Sequence, residues 1–302
     1  MINRKGKMLL VGDNPFHNIS HLSQDRARAR GNATKQPECA ADLVMLSLEN
    51  GANGFMFSVS DTTLSILREI REREAIEHLS LYAIVPYAYE YVRVATQVGG
   101  VTGLIAKVAK EITMSRSAGT IAMGLGAVIR SNPLSLMKTY LSYEISRVKS
   151  SAGKKANLIS LMLHEVVTDM ALALDLDWLF RSYIDFTLRR GLTPGFNTGN
   201  FTYFVDKFKT WNLDLDKIAI AAPFNKIGFQ MIPSKIACEK TLDSLLQPIV
   251  IAISILAAGY LKPTEAIGYI AALPNIKGVA IGVSRESHAR ETFRLFHKEL
   301  NG

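Results

Sequence analysis

The chain has 302 residues, 48% hydrophobic and 21% charged, an ordinary globular composition with length for one large barrel or two smaller domains. Two cysteines, Cys39 and Cys238, exclude a disulfide framework and a cysteine metal cluster, and point to a reducing cytoplasm. The net charge of +8 gathers between 101 and 155, where nine lysines and arginines stand against Glu111 and Glu144. They are interleaved with apolar residues and carry no nucleic-acid motif, so they read as a solvated helical face.

In chain order, the basic start Met1 to Lys7 precedes an apolar run, Met8 to Val11, too short for a signal peptide. Met8 to Gly12 reads as a short buried strand ending at Asp13-Asn14-Pro15-Phe16-His17. A helix from Glu38 to Asn50 stops at Gly51. Gly54 to Ser60 is the second strand, with Asp61 capping the helix behind it. Leu79 to Val85 is the third, closed by Pro86-Tyr87. Residues 90–155 read as several helices. Leu158 to Leu163 is the fourth strand, ending at His164-Glu165, and a long helix runs from Asp175 to Arg190. Thr193 to Phe196, Ile218 to Ala222, Ile249 to Ile253 and Val279 to Val283 complete the strands. No apolar run reaches the length of a membrane span, and the longest, Pro248 to Leu261, reads as a buried strand and a turn.

Strands that alternate with helices throughout predict one (β/α)8 TIM barrel over residues 1–302, with 90–155 a helical insertion after the third strand. The rival is an open doubly wound sheet, but Gly124-Leu-Gly126 follows no strand and lacks the third glycine of a dinucleotide loop. An insertion this long and apolar, with Gly99-Gly100 and the run Ile121 to Ile129, must bury itself on the barrel mouth as a lid or on a second subunit as a homo-oligomer contact.

Chemistry in such a barrel belongs at the C-terminal ends of the strands. Those ends supply Asp13, Asn14 and His17; Ser58 and Asp61; Tyr87 and Tyr89; His164 and Glu165; Asn197 and Asn200; Asn225 and Lys226; and Ser284 with Arg285. His164 suits a donor to a substrate carbonyl or a general acid, against the plainer role of a histidine satisfied by its own loop. Lys226 suits a Schiff base if the apolar mouth lowers its pKa, and is otherwise an exposed loop lysine. Asn14, His17 and Glu165 are candidate substrate contacts. His17 and His21 would share a helix face and bind metal with Glu165, but Pro15 and Asp13-Asn14 predict a loop, so no metal is expected. Arg26, Arg28 and Arg30 read as solvated. Gly282-Val283-Ser284 turns into the last helix. Ser284 is expected as its N-cap, and Arg285 and Arg290 stand ready for a phosphate.

The segment from Pro248 to Ile267, then Ile276-Lys-Gly-Val-Ala-Ile-Gly-Val-Ser284, resembles the end of aldo/keto reductase-like barrels. Leu163-His164 is similar to that family's strand-four histidine, and Phe196-Asn-Thr-Gly-Asn-Phe201 to its segment after strand five. The resemblance implies a TIM barrel and an oxidoreductase acting on a small carbonyl or alcohol with NADP or NAD. His164 would polarise the carbonyl, and Asn197 and Asn225 would orient the nicotinamide. Gly282, Ser284, Arg285 and Arg290 would hold the cofactor phosphate. The pattern departs at the family's proton donor. Asp61 remains after strand two, but no tyrosine follows it and no lysine ends strand three, which leaves Tyr87 or Tyr89 to stand in. Two other functions fit the strand ends: a lyase or aldolase working through Lys226, and a non-catalytic barrel using its insertion as a binding surface.

Overall fold

In the computed structural model, which describes residues 6–17, 36–87 and 133–302, eight parallel strands close into a barrel in chain order. They are β1 (Met8–Gly12), β2 (Gly54–Ser58), β3 (Ser80–Val85), β4 (Asn157–Leu163), β5 (Thr193–Asn197), β6 (Ala219–Pro223), β7 (Ile249–Ile253) and β8 (Ile276–Gly282). Closure is made by β1 on β8, in register from Met8↔Gly278 to Gly12↔Gly282. Among the described residues the helices are α1 (Pro37–Glu49), α2 (Asp61–Glu72), α3 (Pro133–Ala152), α4 (Glu165–Ala173), α5 (Asp177–Leu188), α6 (Phe201–Thr210), α7 (Lys235–Asp243), α8 (Pro263–Ala271) and α9 (Glu286–Asn301). The expected barrel is the observed one. None of these helices is long and apolar enough to cross a membrane.

Successive strand side chains point to opposite faces, and the sequence uses both. Leu9, Val11, Phe55, Phe57, Leu161, Leu163, Phe196 and Ile220 point outward into the layer between strands and helices. Met8, Leu10, Met56, Tyr82, Ile84, Met162, Ala221 and Ile251 alternate with them and fill the barrel. The filling is rich in methionine, which adapts to an irregular interior. Gly195 shows the crowding: a Cβ there would meet Met162 Cγ at 2.5 Å and Ser160 Oγ at 2.8 Å. This parity also decides the site, because His164 and Asn197 fall on the inward phase at the barrel mouth.

Of the segment expected as an insertion, 90–132 lies outside the described residues, as do Tyr89, His21, Arg26, Arg28 and Arg30. Its described part, α3, is helical as expected and serves as the crossover between β3 and β4. It buries Leu141, Ile145, Val148 and Ala152 against the barrel core. Between β4 and α5 the structure adds α4, which the sequence reading passed over.

Candidate functional site

The loop after β1 sets the first part of the site. Asn14–His17 form a short 3-10 turn that buries Pro15 and Phe16. The turn can lie on the end of β8 because residue 282 is glycine: a Cβ there would sit 2.9 Å from both Pro15 Cδ and Cγ. Gly282 therefore makes room for the β1 loop, a packing role beside the cofactor role expected of it. Asp13, at the head of the turn, is buried and accepts a hydrogen bond from the Ser58 N–H at 2.6 Å, tying the end of β1 to the end of β2.

His17 lies against that carboxylate, with Nε2 3.2 Å from Asp13 Oδ2 and both side chains only 6% exposed. The two groups are at ion-pair distance, yet Nε2 makes no aligned hydrogen bond. Contacts of this kind often tighten only when a site is loaded. On its other side the imidazole stacks on Tyr87, with ring centroids 4.8 Å apart and planes at 29°. Asn14 is exposed.

His164 ends β4 and is the N-cap of α4, its Nδ1 accepting from the Val166 N–H at 3.2 Å. An imidazole nitrogen that accepts carries no proton, so the proton of neutral His164 sits on Nε2 and makes that nitrogen a donor. Burial pushes His164 below the ordinary imidazole value, and the charge of Asp13 pulls part of that back. Asp13 therefore acts electrostatically on His164 as well as touching His17.

On β5, Asn197 is buried, and its Oδ1 finds no hydrogen-bond donor among the described residues. The turn after it is held by a residue that sequence reasoning missed. Asp169 accepts from Thr198 Oγ1 at 2.6 Å and from the Gly199 N–H at 2.9 Å. Asp169 lies one helical turn beyond Glu165, a spacing that carries meaning only once α4 is known to be a helix. Burial raises both carboxylates above their ordinary range. The neighbouring Asp169 raises Glu165 further, while the Thr198 and Gly199 hydrogen bonds draw Asp169 partly back.

Acids raised in the folded state contribute stability that is full below their unfolded pKa and lost as pH rises through the folded value. The pair is therefore expected to cost stability as pH climbs out of the carboxylate range. Glu165→Gln should flatten that limb in urea midpoints recorded across it. Parallel limbs for the two proteins would show that the carboxylates are not coupled.

Other expected residues are placed away from this cluster. The Asp61 side chain is 85% exposed and pairs with Arg147 of α3 at 2.6 Å, because it begins α2 on the outer layer. Lys226 is 54% exposed and pairs with Glu265 at 3.4 Å, so it is not enclosed by an apolar mouth. Asn225 is buried, and its amide closes the β6 loop on itself, donating to Phe229 O and accepting from Phe229 N, both at 2.8 Å. At α9 the N-cap is Arg285 rather than Ser284, and its side chain makes no cap hydrogen bond to the first-turn N–H groups. Arg285 and Arg290 are exposed there. A surface cleft of about 540 Å³ along α9 is lined by Ser287, Arg290, Glu291, Arg294, Leu295 and Lys298, and shares only Arg290 with the expected site. Among the described residues no group of three His, Cys, Asp or Glu side chains is arranged to hold a metal.

No protein-family model matches the chain, and no curated protein matches it by sequence. Solved structures are similar to it in fold. Two structures assigned as an aldo-keto reductase from Pseudomonas aeruginosa have TM-scores of 0.59 and 0.58 at 10% identity, each match covering 98% of this chain and 92% of the other. An aldo-keto reductase enzyme from a Medee basin deep-sea metagenome library has a TM-score of 0.50 at 11% identity, covering 87% of this chain and 82% of the other. At this identity the likeness establishes the shared fold, and the chemistry must be argued from the side chains.

Proposed function

We propose that the protein is an NAD(P)H-dependent reductase of small carbonyl compounds, in which the His164 Nε2–H polarises the carbonyl oxygen. The observation that carries this reading is the bond from Val166 N–H to His164 Nδ1, which commits the other ring nitrogen to donation. The lowered pKa keeps the ring neutral at working pH. A neutral imidazole holds its Nε2 proton, so it stabilises charge growing on oxygen by hydrogen bonding and not by giving that proton up.

The nicotinamide cofactor is tested against two features of the chain. Asn197 Oδ1 is a buried acceptor with no donor among the described residues, and a carboxamide N–H would satisfy it. The first turn of α9, uncapped by the Arg285 side chain and with Arg285 and Arg290 exposed beside it, suits the cofactor's phosphates. Both features fit. The bound cofactor would supply a hydride to the carbonyl carbon, while the chain orients the amide, grips the phosphates and polarises the oxygen. Asn225, locked on Phe229, has no part in this reading. A Schiff base at Lys226 is disfavoured by that lysine's exposure and its pairing with Glu265.

The test is a fluorescence titration with NADPH and NADH on wild type, Asn197→Ala and Arg285→Ala. Saturable binding is expected, with each variant weaker by about tenfold, the value of one lost hydrogen bond to a partly charged or buried partner. Absence of binding at millimolar cofactor would sink the reading and leave the non-catalytic barrel in its place.

A further inference from the structure

Resting on that reductase reading, we infer that Asp169 is a positioning residue, which holds Asn197 ready for the cofactor's carboxamide through the turn that follows β5. A buried acceptor contributes fully to binding only if its backbone is fixed beforehand, because ordering it afterwards costs part of the gain. β4 and β5 pair in register at Leu163↔Phe196. The next residue of each strand belongs to the site, so His164 and Asn197 occupy neighbouring positions at the mouth. What fixes the ends of these two strands therefore sets the carbonyl polariser against the amide acceptor.

Each backbone N–H of the turn after Asn197 has an acceptor. The Thr198 N–H donates to Ala221 O of β6 at 3.0 Å. The Gly199 N–H donates to Asp169 Oδ2 at 2.9 Å, and the Asn200 N–H to Thr198 Oγ1 at 3.0 Å. Thr198 is wholly buried, and its hydroxyl donates to Asp169 Oδ1 at 2.6 Å. Asp169 thus receives two of the turn's bonds, one on each oxygen. Alanine in its place would leave the Thr198 hydroxyl and the Gly199 N–H without that acceptor. The carboxylate comes from α4, the helix that His164 caps. One short helix therefore fixes both the imidazole at the end of β4 and the turn behind Asn197. Asp169 acts on the cofactor only through Thr198 and Gly199.

The test separates positioning from folding by titrating two ligands into the full chain by calorimetry. One is NADPH or NADH, whichever binds more tightly. The other is its nicotinamide-free counterpart, 2′-phospho-ADP-ribose or ADP-ribose. The ratio of the two Kd values isolates what the nicotinamide end contributes. D169A should lower the preference for the whole cofactor by about fivefold to tenfold, the worth of one hydrogen bond to a buried partner. The Kd of the fragment should stay within threefold. N197A should lower the preference as much, and the double variant should lose no more than N197A alone, because both act on one contact. Equal weakening of cofactor and fragment in D169A is a general loss of structure and overturns the proposal, as does an unchanged ratio. If D169A does not fold, T198V, which keeps the Gly199 bond, carries the comparison, and a wild-type ratio there overturns the proposal. A preference lost in N197A and kept in D169A removes the positioning role and leaves the reductase reading standing. A wild type that binds neither NADPH nor NADH overturns both.

Discussion

Phe196→Ala is expected to lower the unfolding free energy by about 3–5 kcal/mol, the cost of emptying a fully packed aromatic site. Phe196 is wholly buried and joins an aromatic cluster, with ring centroids 5.3 Å from Tyr183, 5.4 Å from Phe204, 5.5 Å from Phe208 and 5.6 Å from Phe180. Those rings come from α5 and α6, so one outward side chain of β5 fastens two helices to the barrel. Tyr183 adds a hydrogen bond from its hydroxyl to Leu161 O at 2.6 Å, which limits how far the cluster can collapse into the hole. The loss should appear as a lower urea midpoint at unchanged m-value. Asp61→Asn is the contrast, an exposed ion pair expected to shift stability by less than about 1 kcal/mol. Because Phe196 precedes Asn197, its loss should also loosen NADPH binding. A Phe196→Ala midpoint no lower than that of Asp61→Asn would mean that the cluster does not hold β5.

The barrel was legible because a parallel sheet buried on both faces writes itself as short apolar runs, and each run here is separated by a helix. Ile249–Ile253 begins and ends where the pattern placed it, whereas β8 starts at Ile276, three residues before the expected Val279. The difference is physical: Ile276 and Lys277 extend the β8 ladder below its continuous apolar run, where one face already meets solvent. The inward phase of His164 and Asn197 could also be counted from their strands. What periodicity could not give was the direction of side chains beyond the strand ends. Asp61 starts a helix on the outer layer and pairs with Arg147, a partner 86 residues away. Asp13 was visible as a strand-end carboxylate and turn former, but not as the acceptor for the Ser58 N–H, a contact that forms only when β1 and β2 pair. Asp169 and Thr198 meet across α4 and the β5 loop, another contact with no local signal.

His164→Asn separates the two duties of the strand-four histidine, and a kcat loss of about 100- to 1,000-fold is expected, the worth of a preorganised donor to a developing oxyanion. Asparagine is a favourable N-cap, and its Oδ1 can take over the Val166 N–H. The fold of α4 should therefore survive while the donor withdraws from the mouth. Cofactor affinity should hold, which would place the loss in the chemical step. The pH dependence gives an independent check. In the wild type, burial lowers the His164 pKa in the folded state, against a smaller opposing pull from Asp13. A group with a depressed folded pKa contributes stability that is complete above its unfolded value and lost as pH falls through the folded one. Protonation on Nδ1 would also set a donor against the Val166 N–H and break the cap. The wild type should therefore lose stability from about pH 6.5, the ordinary imidazole value, downward, and His164→Asn should lack that limb. If the variant keeps kcat within threefold, His164 does not polarise the substrate. If it loses kcat but keeps the acid limb, the limb belongs to another group, and His17 beside Asp13 is the next imidazole to remove.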